Sequence, residues 1–231
     1  MFDVWAFVGY LDNAFLLRGA AVTVGLTVVS LLGGLVLGLV LAALRAAGGP
    51  VLPRVAGFYV WVFRGTPLLV QLVIVYTGLP QLGLKFGVVM SACIALTLNE
   101  AAYLSEIFRA GFNGVPPGQR DAAQALGLNT IRTIWLVTLP QAFRIIIPPL
   151  GNSVNGLLKA TSITSIISME ELMRRSQMLM QLKFEVLEVY CVAAVYYLAL
   201  TTMWDFVQRG LERRFGRGYA ASPVRAVAEP A

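Results

Sequence analysis

Five stretches of this chain are predominantly apolar for about 20 residues or more, near 19–44, 55–79, 86–108, 142–167 and 187–208. That is the length a helix needs to cross a hydrocarbon core about 30 Å thick. Within lipid the backbone N–H and C=O groups of each run must be satisfied internally, and a helix does this along its own length. The expected fold class is therefore all-α integral membrane, with five transmembrane helices. Composition agrees: 58% of the 231 residues are hydrophobic and 13% are charged, against about 25% charged in a soluble domain. The first run carries Gly34 and Gly38 at a small-xxx-small spacing, which permits close helix contact, within the chain or in a dimer.

The formal net charge of +6 sits in loops and tail and forms no continuous basic face, so no nucleic-acid partner is expected. Orientation accounts for it better. With the N-terminus outside, the inner segments hold Arg45, Arg54, Arg109, Arg120, Arg132, Arg209, Arg213, Arg214, Arg217 and Arg225. The outer segments hold only Arg18, Lys85, Arg174, Arg175 and Lys183. The positive-inside rule then predicts N-terminus out and C-terminus in the cytoplasm. The expected organisation is an external segment 1–18, a membrane domain 19–209 with a cytoplasmic loop at 109–133, and a cytoplasmic disordered tail at 210–231, rich in Ala, Pro and Arg. The first residues lack the basic start of a signal peptide. Segment 168–188, mixed in charge, reads as an outer interfacial helix or a solvated connector. Cys93 and Cys191 lie in apolar runs and read as free thiols.

The loop contains Gly118-Gln119-Arg120-Asp121-Ala122-Ala123-Gln124-Ala125-Leu126-Gly127. Alanines at 122, 123 and 125 favour helix and add no bulk, and Gly118 and Gly127 bracket about two turns. Such a piece suits a rigid knob offered to a soluble partner. Asp121 in a first turn also suits the helix dipole.

Polar side chains at membrane depth are costly and face a cavity or a partner. Glu100 lies mid-span in the third run, where Asn99, Tyr103, Glu106 and Ala110 make a polar or small stripe. Lys159 is deep in the fourth run, with Asn152, Asn155, Thr161 and Ser162 nearby. Arg64 and Thr66 interrupt the second run beside Pro67, and that proline frees a carbonyl that something else must satisfy. A zwitterionic amino acid could set its carboxylate on Arg64 or Lys159 and its ammonium on Glu100. Alternatively the charges pair among themselves, as Glu106 and Arg109 can at i,i+3. Pro140, Pro148 and Pro149 suggest an interfacial helix over part of 128–147, before the continuous fourth span.

Three blocks carry a family resemblance: Arg64-Gly65-Thr66-Pro67-Leu68-Leu69-Val70-Gln71, the stretch Asn99 to Gly111 running into the loop, and Leu139-Pro140-Gln141-Ala142-Phe143-Arg144 followed by Pro148 to Asn152 and Lys159 to Ser162. Over roughly 19–209 the chain resembles the inner-membrane permease subunit of an ABC importer, in the polar amino acid uptake branch. The resemblance implies that the loop is the Glu-Ala-Ala (EAA) loop, whose cytoplasmic coupling helix, between spans three and four, docks on an ATPase through Gly118, Asp121, Ala122, Ala123, Ala125 and Gly127. Asp121 stands where the family usually has Glu, and Ala160 where relatives often carry an acid. The implied partners are cytoplasmic ATPase subunits, a second permease subunit (the same or a homologous chain), an external solute-binding protein and the bilayer of a bacterial inner membrane.

The candidate substrate path, read from the polar residues at membrane depth, runs past Arg64, Thr66, Glu100, Tyr103, Asn152, Asn155, Lys159, Thr161 and Ser162. No G-x-x-x-x-G-K-[ST] phosphate loop is present, so the chain is expected to be a transport subunit without its own nucleotide site, ATP being used by a partner, and without a cofactor of its own. Histidine is absent, and with it the His-containing metal motifs. The alternative substrate is an amino-acid-like zwitterion of opine or ectoine type. A gradient-driven transporter fits less well, because no internal repeat is visible.

Overall fold

The first two helices begin where side-chain oxygens meet the orphan donors of a first turn. Asp3 accepts from the amides of Trp5 and Ala6, and Asn13 from that of Phe15. The computed structural model describes residues 2–216. Its helices are α1 (Val4–Tyr10), α2 (Ala14–Ala46), α3 (Val51–Gly65), α4 (Leu68–Val73), α5 (Val88–Asn113), α6 (Pro117–Ala125), α7 (Thr130–Thr133), α8 (Leu139–Ala160), α9 (Leu172–Lys183) and α10 (Val186–Gly216). No strand occurs among the described residues.

Four helical stretches are long and apolar enough to cross a membrane unbroken: Ala14–Ala46, Val88–Asn113, Thr130–Ile167 and Val186–Phe215. The second expected span is instead a broken pair, Val51–Gly65 and Leu68–Leu82, bent by 105°. Pro67 explains the break: it has no N–H and fixes its φ at −63°. The pair nonetheless makes a full traverse. Along the α2–α5 seam Gly33 meets Thr97, Gly34 meets Glu100 and Gly38 meets Leu104, so the two helices run parallel. A chain leaving α2 at one end must return to the other end to begin α5. The bundle thus makes five crossings.

The α2–α5 seam is the centre of the molecule. A Cβ added at Gly38 would lie 2.9 Å from Leu104 Cβ and 3.0 Å from the Ala101 carbonyl, and one at Gly34 would lie 3.1 Å from Glu100 Cγ. The small-xxx-small pair is therefore spent inside the chain, against α5. Leu26, Ala92, Ala95 and Leu96 form the core toward one end of this seam, and Ala42, Leu104, Phe108 and Ile146 toward the other. Antiparallel α8 completes the bundle, with Gly111 against Ile146 and Ser153 beside Glu100. α10 crosses back over α8, its Trp204 indole donating to the Gly151 carbonyl.

The sequence-based boundaries need correction where capping and amphipathic ends extend a helix beyond its apolar run. Residues 14–18, expected in the external segment, are the first turn of α2. Residues 210–216, expected in the tail, continue α10, whose last turn holds Arg213 and Arg214 in keeping with the helix dipole. The rest of the expected disordered tail, 217–231, lies outside the described residues. Residues 128–147, expected to be partly an interfacial helix, lead without a break into the fourth span as one helical stretch, Thr130–Ile167. A π-helical turn at Ile134–Thr138 joins α7 to α8 and resets the bonding pattern, so that Pro140 falls in the first turn of α8, where its missing amide costs nothing.

Candidate functional site

Pro116 and Pro117 start α6, and its C-terminus closes on Gly127. Gly127 is left-handed at φ +81°, its N–H reaches the Gln124 carbonyl at 2.9 Å, and the Leu128 N–H reaches that of Ala123 at 3.1 Å. This is a Schellman stop, which favours glycine at the left-handed position. Of the expected docking residues, Gly118, Asp121, Ala122 and Ala125 are exposed, whereas Ala123 is buried. Val115 anchors the helix in the α5–α8 core, and Arg120 ties it back by donating to the Phe112 carbonyl at 2.8 Å. α6 is thus a short, firmly based knob with an exposed face of small and polar residues. Leu126, 84% exposed, stands at its tip.

The bend after α3 builds a polar centre. Pro67 leaves the Phe63 carbonyl without its helical donor, and Gln71 Nε2 supplies one at 2.8 Å, reaching the Thr66 carbonyl (3.1 Å) and hydroxyl (2.9 Å) as well. Asn99 of α5 donates to Gln71 Oε1 at 3.0 Å. The Arg64 guanidinium lies 5.4 Å from the Tyr103 ring centre, a cation–π distance. It also stands 3.9 Å from Glu106. Glu106 is bonded by Arg45 from α2 and by Arg109 at 2.7 Å, the last being the expected i,i+3 pair. Three arginines on one carboxylate leave excess positive charge where α2, α3 and α5 meet. The stripe Asn99, Tyr103, Glu106, Ala110 is the least buried face of α5.

The other candidate residues divide by exposure. Asn152 and Lys159 lie on the open face of α8, with Gly156 between them. Ser162 is half-buried and donates to the Lys159 carbonyl. Glu100, by contrast, is enclosed between α2 and α8 and accepts from Ser153 Oγ at 2.6 Å. Asn155 turns toward α10, donating to Asp205 at 2.6 Å, and Thr161 is fully buried on the Leu158 carbonyl. Among the described residues Arg64, Glu100 and Lys159 make no ion pair with one another.

Residues 17–217 match the model of a family described as the binding-protein-dependent transport system inner membrane component. The chain belongs to this family. Such permease subunits are multi-pass inner-membrane proteins that work with an ATPase and a solute-binding protein. Over 223 residues the permease is 40% identical to the arginine transport system permease protein ArgU of Corynebacterium glutamicum, covering 90% of this chain and 71% of that one. It is 38% identical to the glutamine transport system permease protein GlnP of Escherichia coli, over 86% of this chain and 92% of that one. A crystal structure of an amino acid ABC transporter with histidines superposes with a TM-score of 0.86 at 33% identity, covering 93% of the permease and 99% of that chain.

Two polar side chains central to this permease escape a reading for intramembrane charge. Gln71 carries none; its signal is a Gln one turn beyond a mid-span proline. Glu171 sits in a segment read as an outer interfacial helix or a solvated connector, yet it is fully buried. It caps α9 by accepting from the amides of Met173 and Arg174, both at 2.9 Å, and it also accepts from Tyr197 Oη at 2.9 Å. Burial pushes its carboxyl pKa up, against the pull of these donors.

Proposed function

We propose that this permease carries a polar amino acid, of the arginine or glutamine type, into the cytoplasm. An external solute-binding protein delivers it, and a separate ATPase supplies the energy by docking on α6. The N-terminus lies outside and α6 and the C-terminus inside, as the distribution of Lys and Arg suggests. A second permease subunit, identical or homologous, faces the open polar surface of α8. The observation that carries the reading is α6 itself, a buttressed helix with a small exposed face between two spans, in a chain 38–40% identical to arginine and glutamine permeases.

On this reading Gly118, Asp121, Ala122 and Ala125 meet the ATPase, while Ala123 and Gly127 hold the knob in shape. The solute passes Arg64, Thr66 and Tyr103 at the bend and Asn152, Lys159 and Ser162 on α8. Glu100, Asn155 and Thr161 act from behind, by fixing the helices that carry that surface.

The test is ATP-driven uptake of labelled arginine and glutamine into proteoliposomes holding the permease, its ATPase and its binding protein. An Ala122→Trp variant adds bulk to the exposed face of α6 and leaves its caps intact. Uptake that needs ATP and is lost in this variant, together with co-purification of the ATPase, supports the reading. Normal ATPase binding and uptake in Ala122→Trp would sink it.

A further inference from the structure

At the end of the bundle that carries α6, polar and apolar cavities adjoin in the order in which a lipid presents its parts. An apolar cavity of about 400 Å³ opens between α2, α5 and α8, walled by Leu35, Leu39, Phe108, Phe143, Ile146 and Leu150. Leu139 and Phe143 are also walls of a second cavity, about 350 Å³, which contains Arg144 and Arg214 with Trp135 and Phe215. From Leu139 to Leu150 the apolar part extends along α8 for about 16 Å at 1.5 Å per residue, close to one leaflet's hydrocarbon depth. Trp135 is largely exposed at the polar mouth, a residue type that collects at headgroup level.

Charge decides the headgroup. Among the described residues the ion pairs are Arg45, Arg64 and Arg109 with Glu106, and Arg175 with Glu170; none includes Arg144 or Arg214. No carboxylate among the described residues lines the second cavity, so no described side chain there would meet the ammonium of a zwitterionic headgroup. Two planar guanidiniums suit a phosphate with no cation of its own.

We propose that the permease holds one anionic phospholipid here, its phosphate between Arg144 and Arg214 and an acyl chain in the cavity between α2, α5 and α8. Inorganic phosphate would leave the apolar part empty, and a neutral lipid would leave the arginines without a counter-ion. The bound lipid ties the start of α8 to the end of α10. The inference does not depend on which solute is carried.

Native mass spectrometry of the full chain, released from nanodiscs of phosphatidylglycerol or phosphatidylcholine, tests it. One phosphatidylglycerol retained per chain is expected, at on the order of tenfold over phosphatidylcholine. Arg144→Gln/Arg214→Gln should reduce retention to the phosphatidylcholine level, while Arg54→Gln, on α3, should leave it unchanged. Leu39→Trp, at a half-exposed wall of the apolar cavity, should expel the lipid with both arginines still present. Equal retention of the two lipids, native retention in the double arginine variant, or displacement by millimolar inorganic phosphate would each overturn the proposal. So would a lipid-free dimer in which a second copy crosslinks across the Leu39 wall.

Discussion

Gln71 holds its side-chain amide 2.8 Å from the carbonyl oxygen of Phe63, the acceptor that Pro67, four residues on, has no N–H to meet. The bend between α3 and α4 is therefore a satisfied joint, closed by a side chain from the next turn and buttressed by Asn99. Gln71→Leu keeps the volume and removes the donor. The half-buried Phe63 carbonyl would keep only the longer contact from Asn99, at 3.4 Å, a loss of about 1 kcal/mol, so the variant should melt at lower temperature in detergent than the native chain. An unchanged melting temperature would mean that Gln71 is not what closes the joint.

The α2–α5 seam makes a paired prediction. Gly38→Val would force a side chain against Leu104 and the Ala101 carbonyl, and overpacking of this kind costs about 1–3 kcal/mol. Gly25, one helix with Gly38, has nothing within 4 Å of a built Cβ. Gly25→Ala should be neutral or slightly stabilising, since alanine favours helix over glycine by about 1 kcal/mol. Thermal unfolding of both variants checks the contrast, and equal destabilisation would refute the seam as drawn.

Gly127 sets where α6 ends. Any L-residue there must adopt φ near +81°, at a cost of roughly 1–2 kcal/mol. Gly127→Val should lower the yield of ATPase recovered with the permease more than Gly127→Asn, since asparagine tolerates the left-handed region better than a β-branched residue does. Pull-down in detergent measures this. Indistinguishable recovery from the two variants would show that the C-terminal stop is dispensable for docking.

Tyr10, at the end of α1, donates to the Glu185 carboxylate. That bond, with some burial and the negative charge of Glu185, raises the phenol pKa to about 12. A raised folded pKa means that the contribution of this contact to stability is fully present below the unfolded value near 10 and is lost as pH rises through about 12. At pH 11, native permease and Tyr10→Phe should therefore show nearly the same tyrosinate absorbance. A native excess equal to one ionised tyrosine would contradict the assignment.

Much of this architecture is written in local pattern. The apolar runs locate the crossings, and the alanines at 122, 123 and 125 with Gly127 locate α6. The i,i+3 spacing anticipates Glu106 with Arg109. What local pattern lacks is the direction from which distant groups arrive. Arg45 reaches Glu106 from 61 residues away, and Gly34 closes over Glu100, a charge whose sequence context fits either a solute or a neighbouring helix. The 105° bend was legible as a break at Pro67 but not as an angle, because the angle depends on how α3 and α4 each pack on α5. Ala123 looks identical to its neighbours in sequence, and only the seating of α6 on the bundle distinguishes it.

The parallel pairing of α2 with α5 bears on how the chain is made. Each residue of α2 on the seam emerges from synthesis about 65 residues ahead of the one it packs on, as Gly33 with Thr97 and Gly38 with Leu104 show, and Thr23 waits still longer for Glu171 and Leu172. Until then the first crossing must persist in lipid with only α3 beside it, through Leu41 against Ala56 and Tyr59. It is also the most apolar of the four unbroken spans, with a mean hydropathy of 2.5 against 1.3–1.6 for the others. The later helices enter beside a companion already in place, and so can carry arginines, carboxylates and amides at membrane depth.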